Sequence, residues 1–194
     1  VLHGKYGIGR TALVREIARR NDRWRFVFTD FGRPASVICT SILAQLSGAS
    51  RSAIAETNTA RQLTRAVVAW LPPKRVTRLV IVLDNVAKLT RPKVDLLRRL
   101  RASERLLFIA ILESFVDGDA LMRVRVALDP AIVVSVSALD LDTSLRFFGE
   151  AATRFDLSWS TADIEMLAKA VHGYPLEMIR TVNAARRRRE ALRP

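Results

Sequence analysis

The residues best placed to do chemistry lie at the start of the chain. Gly4, Gly7 and Gly9 punctuate the stretch "GKYGIGRT", which closes on Arg10 and Thr11. Glycines at this spacing let a backbone turn tightly and aim successive N–H groups at phosphate oxygens. A helix starting near Arg10 would add the positive end of its dipole, and the Thr11 hydroxyl is the right group to meet a magnesium ion. The pattern is that of a phosphate-binding loop with one change: Arg10 stands where a lysine is expected. About seventy residues on, the apolar run of "RLVIVLDN" ends in Asp84 and Asn85. A carboxylate at the tip of such a strand is what a loop of this kind uses to hold its Mg²⁺ shell. The competing reading makes Asp84-Asn85 ordinary turn chemistry at a strand end.

Such residues need a scaffold that brings a loop and a strand tip together. Short apolar stretches predict strands at "VL" before Gly4, at 24–29, 78–84, 105–112 and 131–137. They are β-branched and apolar on both faces, as strands of a buried parallel sheet are. Helical spacing fills the gaps. "TALVREIARR" sets Leu13 with Ile17 and Val14 with Ala18, and "SVICTSILAQL" and "TARQLTRAVVAWL" follow, the latter stopped by Pro72-Pro73. "RPKVDLLRRLRA" comes after the third strand. Alternation of this kind predicts an α/β protein with a parallel sheet. After Ser137 only helices are expected, over about 142–155, 161–171 and 175–190, the second capped by Ser160 or Thr161. The reading is therefore a core over 1–138 and a small helical subdomain over 139–194.

Composition narrows the partners. The chain has 194 residues and a formal charge of +13. Lysine occupies only positions 5, 74, 88, 93 and 169, so most of the 32 basic residues are arginine. Such an excess points to a polyanion, nucleic acid first; arginine-rich usage from a GC-rich genome is the alternative. The densest run is Arg186, Arg187, Arg188 and Arg189, read either as phosphate-backbone contacts to DNA or as a solvated helix end. Arg15, Arg19, Arg20, Arg23 and Arg25 form a second cluster. Few aromatics accompany either, which argues against base stacking. The lone cysteine, Cys39, excludes an internal disulfide, fits a core position and agrees with a reducing cytoplasm. No apolar run has the length of a membrane span. His3 and His172 have no ligating partners at metal spacing, so no ion is expected beside a nucleotide's Mg²⁺. The chain opens on what reads as a strand end, so a further segment is expected upstream.

Taken together, "GIGRTALVRE", "LVIVLDN", the later strand "LLFIAILES" and the helical tail "HGYPLEMIRTVNAARR" resemble the additional-strand P-loop ATPases, the AAA+ proteins and their STAND relatives. "VLDNVAKLTRPKVDLLRRL" is also similar to the MuB/TniB/ExeA-type branch. The resemblance covers nearly the whole chain. It implies a P-loop NTPase three-layer sandwich, a five-stranded sheet of order 5-1-4-3-2, and a C-terminal helical lid. It implies that Gly4, Gly7, Gly9, Arg10 and Thr11 cradle the phosphates of ATP or ADP. Thr11 and Asp84 would serve Mg²⁺, Glu113 or Ser114 would take the sensor position, and Pro175 of the Gly173-Tyr174-Pro175 turn would approach the base or ribose. A plain helix break is the other reading of that turn.

Two residues depart from the family pattern. Arg10 keeps the charge but is a planar fork where a point charge is usual. Asn85 stands where many relatives carry the glutamate that activates water, and an amide cannot take a proton. Both favour binding over fast hydrolysis. The function expected is an ATP-binding AAA+/STAND-type switch, slow or inactive in hydrolysis, oligomerising and acting on or near DNA. The alternatives are a nucleotide-free scaffold that binds DNA or protein, and a STAND signalling module with no nucleic-acid role. Arg123 and Arg125 stand where relatives often place an arginine finger reaching a neighbouring subunit.

Overall fold

A computed structural model describes residues 1–48, 50, 60–71, 78–113 and 118–191. Five strands, β1 (Leu2–His3), β2 (Trp24–Asp30), β3 (Arg78–Val86), β4 (Leu106–Leu112) and β5 (Val134–Ser135), form one sheet of order β2-β3-β4-β1-β5. Every pairing is parallel. This is the order 5-1-4-3-2 read from the other edge, and the fold is the P-loop NTPase α/β fold. The helices are α1 (Arg10–Arg19), α2 (Ala35–Ser47), α3 (Ala60–Trp70), α4 (Arg91–Ala102), α5 (Gly118–Ala127), α6 (Leu141–Phe155), α7 (Thr161–Ala170) and α8 (Pro175–Ala191).

The chain divides into two compact units, Val1–Gly4 with Arg10–Ser135, and Lys5–Gly9 with Val136–Pro194. In the first, Leu79 to Leu83 of β3 are all buried, as a central strand covered on both faces must be. Val27 and Phe31 of the β2 end, Ile38 and Ile42 of α2, Leu63 and Val67 of α3, and Leu96, Leu97 and Leu100 of α4 complete one continuous core. Cys39 is a core residue, its Sγ 3.6 Å from the Thr64 hydroxyl, and burial pushes its thiol pKa up. In the second unit Phe148, Ala168, Met178 and Val182 form a separate core. Phe147 and Trp159 each meet the Phe148 ring edge-on, a favoured aromatic geometry. Ser160 caps α7 in a reciprocal box with Asp163, so the cap is Ser160 and not Thr161.

One expectation needs correction, and one helix goes beyond those expected. The strand expected over 131–137 pairs only at Val134–Ser135. Helix α5 is absent from the sequence reading, because "MRVRV" alternates like a strand; as a helix it turns Val124 and Ala127 into the core with Leu121 against them. The Pro72-Pro73 stop lies outside the described residues, and α3 ends at Trp70.

Candidate functional site

In the first unit, α1 follows the glycine loop and puts Arg10 and Thr11 in its opening turn. Thr11 Oγ1 donates to Asp84 Oδ1 at 3.1 Å, joining residues 73 positions apart in sequence. Two hard oxygens so close suit Mg²⁺, which takes one or two protein oxygens and leaves its other positions to water and phosphate.

Arg10 has a different neighbour. Its side chain is buried, 9% exposed, and Nη1 donates to the carbonyl oxygen of Leu112, the last residue of β4. The guanidinium thus holds the carbonyl at the end of β4.

Asp84 and Asn85 sit in a bulge. Leu83 pairs with Ala110 and Val86 with Leu112, so two residues of β3 face one of β4. Bulges recur beside active sites because they re-aim side chains. Asn85 takes φ 58°, a left-handed conformation that asparagine tolerates better than most residues. Its own N–H donates to Asp84 Oδ1 at 3.0 Å, and its side-chain amide donates to Asp30 Oδ1 at 3.2 Å. Glu113 follows β4, its N–H bonded to the Val86 carbonyl at 3.0 Å. Ser114 lies outside the described residues.

Sequence reasoning passes over Asp30 and Lys93. Asp30 is in register with Asp84 on the neighbouring strand. It accepts from the Gly32 N–H at 2.9 Å and pairs with Arg33 at 3.3 Å. Lys93 is only 5% exposed and donates to the Phe31 carbonyl at 2.6 Å. Burial lowers its pKa, and the charge of Asp30 partly offsets this. The only sequence signal is a lysine in a lysine-poor chain, two residues into a helix whose other basic residues are all arginine.

In the second unit the loop residues Lys5–Gly9 pack with the start of α8. The Leu176 N–H donates to the Gly7 carbonyl at 3.1 Å. A Cβ on Gly7 would lie 2.9 Å from the Leu176 side chain, and Gly7 has φ +80°, so glycine is needed there twice over. Pro175 lies beside Gly9, 3.8 Å from where its Cβ would be. Gly173 is tighter still: a Cβ would fall 1.9 Å from the Leu139 carbonyl oxygen. The glycine of the Gly-Tyr-Pro turn therefore admits the backbone of Leu139, whose N–H donates to the Gly173 carbonyl at 2.9 Å.

The arginine run divides by partner. Arg189 binds the Phe155 carbonyl and the Asp156 carboxylate, fastening α8 to the end of α6. Arg186 lies 4.4 Å from the Phe155 ring centroid and 3.7 Å from Glu190. Arg187 and Arg188 face solvent. In the other cluster, Arg19 and Arg20 both pair with Glu16, and Arg25 binds the Gln45 and Leu46 carbonyls at the end of α2.

Among the described residues no group of His, Cys, Asp or Glu is arranged to hold a metal by itself, and no helix is long and apolar enough to cross a membrane. No protein-family model matches the sequence, and no curated protein does. Solved structures do match. Cdc6p from Pyrobaculum aerophilum is similar over 96% of the chain with a TM-score of 0.67 and 17% identity. The Aeropyrum pernix Orc1 protein, in complex with DNA, is similar over 100% of the chain with a TM-score of 0.68 and 16% identity. The fold is that of the AAA+ P-loop proteins. In each of these neighbours the match spans 55% of the other chain, so the AAA+-type fold seen here corresponds to about half of either protein.

Proposed function

We propose that the chain is an ATP-binding AAA+-type switch domain that hydrolyses slowly or not at all and acts on or near DNA. The observation that carries this reading is the 3.1 Å approach of Thr11 to Asp84, a hydroxyl at the exit of a glycine loop meeting a carboxylate near the end of β3. The glycines Gly4, Gly7 and Gly9 supply the backbone N–H groups for phosphates of ATP or ADP, and Thr11 and Asp84 hold Mg²⁺, which neutralises phosphate charge when bound. Asn85 is able to orient a water but not to take its proton, and Glu113 stands at the sensor position. Asn85, together with Arg10 at the lysine position, favours a binding switch over a fast ATPase. The DNA role rests on the +13 charge and on the DNA complex of the Orc1 neighbour. Arg187 and Arg188 are the exposed cations of the run proposed to bind DNA. A homo-oligomer in the cytoplasm, of the STAND or the MuB/TniB/ExeA branch, completes the proposal.

One observation favours a second reading. Arg10 is already engaged by the Leu112 carbonyl, which suits a P-loop scaffold that binds DNA or a protein without nucleotide. Calorimetry separates the two. The ATP reading expects Mg²⁺-dependent ATP binding by the native chain and its loss in Thr11→Ala and Asp84→Ala, with circular dichroism unchanged. Equal binding by all three displaces the assigned site. No binding by the native chain leaves the scaffold.

A further inference from the structure

We propose that the trough between α4 and α5 is a docking site for an acidic amphipathic helix of a partner protein. It lies wholly within the first unit and does not involve the glycine loop.

The trough is built from two stripes. On α4, Val94, Arg98 and Arg101 follow one another at i, i+4 and i+7, and on α5, Met122 and Val126 are one turn apart, so each set shares a helix face. Between the helices lie two cavities of about 310 and 350 Å³. Both are lined by Arg101, Met122 and Val126, so they are parts of one groove. The floor is apolar and open: Met122 is 56% and Val126 60% exposed, with Leu89 and Val94 extending it. From Val94 to Arg101 the groove runs for about 10 Å at 1.5 Å per residue, enough for two turns of a docked helix.

The rim identifies the occupant. Arg98, Arg101, Arg123 and Arg125 line the cavities, and among the described residues Asp129 is the single carboxylate. Among the described residues none of the four arginines is ion-paired, unlike Arg19, Arg20 and Arg189. Unneutralised guanidinium groups around an apolar floor complement a ligand with hydrophobic anchors flanked by carboxylates. Duplex DNA meets the rim but has nothing to cover Met122 and Val126, and among the described residues no aromatic lines the groove to stack a base. A second copy of this chain, with 32 basic residues to 19 acidic, matches this rim less well than an acidic segment does. Methionine and arginine are each enriched at protein interfaces.

The test is selection of 16-residue peptides from a random display library on the intact chain, then anisotropy titration of the recovered sequence. The proposal expects Asp and Glu flanking apolar residues at i, i+3 or i+4 and i+7. Met122→Glu and the pair Arg98→Ala with Arg101→Ala should each weaken binding at least about tenfold, the order of one lost hot spot. The pair Arg146→Ala with Lys169→Ala removes equal charge from exposed positions of the other unit and should leave peptide binding unchanged. Four results overturn the proposal: no enriched peptide, enriched peptides without acidic residues, equal weakening by the control pair, or groove substitutions that abolish duplex DNA binding or self-association while sparing the peptide. Met122 is exposed, so its substitution leaves the core intact, and circular dichroism verifies this.

Discussion

The guanidinium of Arg10 donates to the carbonyl oxygen of Leu112, so the first turn of α1 is tied to the tip of β4. These two residues are 102 positions apart. The bond gives arginine a structural duty at a position where a lysine would be free to reach phosphate. Arg10→Ala should destabilise the ligand-free chain by roughly 1–3 kcal/mol, because it removes a buried hydrogen bond to the carbonyl at the end of β4. Arg10→Lys, which keeps a donor, should lose less. Urea unfolding of the three proteins without nucleotide measures both. Equal midpoints would free Arg10 from this role and return it to the phosphates alone.

The bulge on β3 gives Asn85 a reason to be asparagine that is independent of catalysis. Its φ of 58° is a conformation that costs an ordinary residue about 1–2 kcal/mol. Asn85→Glu alone should therefore lower the melting temperature, whereas Asn85→Gly should not suffer that strain. If Arg10 and Asn85 are the brakes on hydrolysis, the double variant Arg10→Lys with Asn85→Glu turns ATP over faster than the native chain despite its lower stability. A phosphate-release assay decides it, and an unchanged rate places the limit in other groups.

DNA binding should divide the four arginines into pairs. Arg187→Ala with Arg188→Ala should reduce duplex affinity and flatten the salt dependence by roughly 0.9 in log K against log salt for each phosphate no longer neutralised. Arg186→Ala with Arg189→Ala should instead lower the thermal stability of the helical unit, since those side chains hold Phe155, Asp156 and Glu190. Gel shifts at several salt concentrations, beside melting curves of both pairs, read the two effects separately. Loss of affinity only in the second pair would remove the exposed arginines from the interface.

The helical unit should also be sensitive to acid. Asp140 caps α6 by accepting from the Thr143 N–H at 2.7 Å, and Asp163 accepts from the Ser160 hydroxyl and N–H at 2.7 and 2.8 Å. These hydrogen bonds hold both carboxyl groups below their ordinary pKa of 3.8. A carboxylate whose folded pKa is depressed stabilises the fold above its unfolded pKa, and that contribution is lost as pH falls through the folded value. Melting temperature should therefore decline below about pH 4, and Asp140→Asn with Asp163→Asn should show a shallower decline. Parallel slopes would mean that other carboxylates govern the acid response.

Much of this is legible in the sequence because it is written locally. Glycine spacing, the Thr11 hydroxyl, the apolar run ending in Asp84 and the Ser160 cap of α7 each lie within a few residues. What is not legible depends on chain segments meeting. The contact of Arg10 with Leu112 and that of Asn85 with Asp30 join distant stretches whose sequences do not mention each other. Helix α5 is hidden for a different reason: its valines and arginines alternate with the period of a strand, and only the burial of Val124 and Ala127 chooses the helix. The glycine of the Gly-Tyr-Pro turn is visible, but its cause, the passing backbone of Leu139, is not.

Lys93 carries one further consequence. Its amine is sealed against the Phe31 carbonyl and ring, beneath the strand tips that bear Asp30 and Asp84. A reagent that acylates amines can reach it only when that region opens. Lys169, by contrast, is solvent-facing in the other unit. The ratio of their labelling rates is thus a built-in gauge of how often the candidate site breathes, and nucleotide that tightens the site should slow Lys93 while leaving Lys169 untouched.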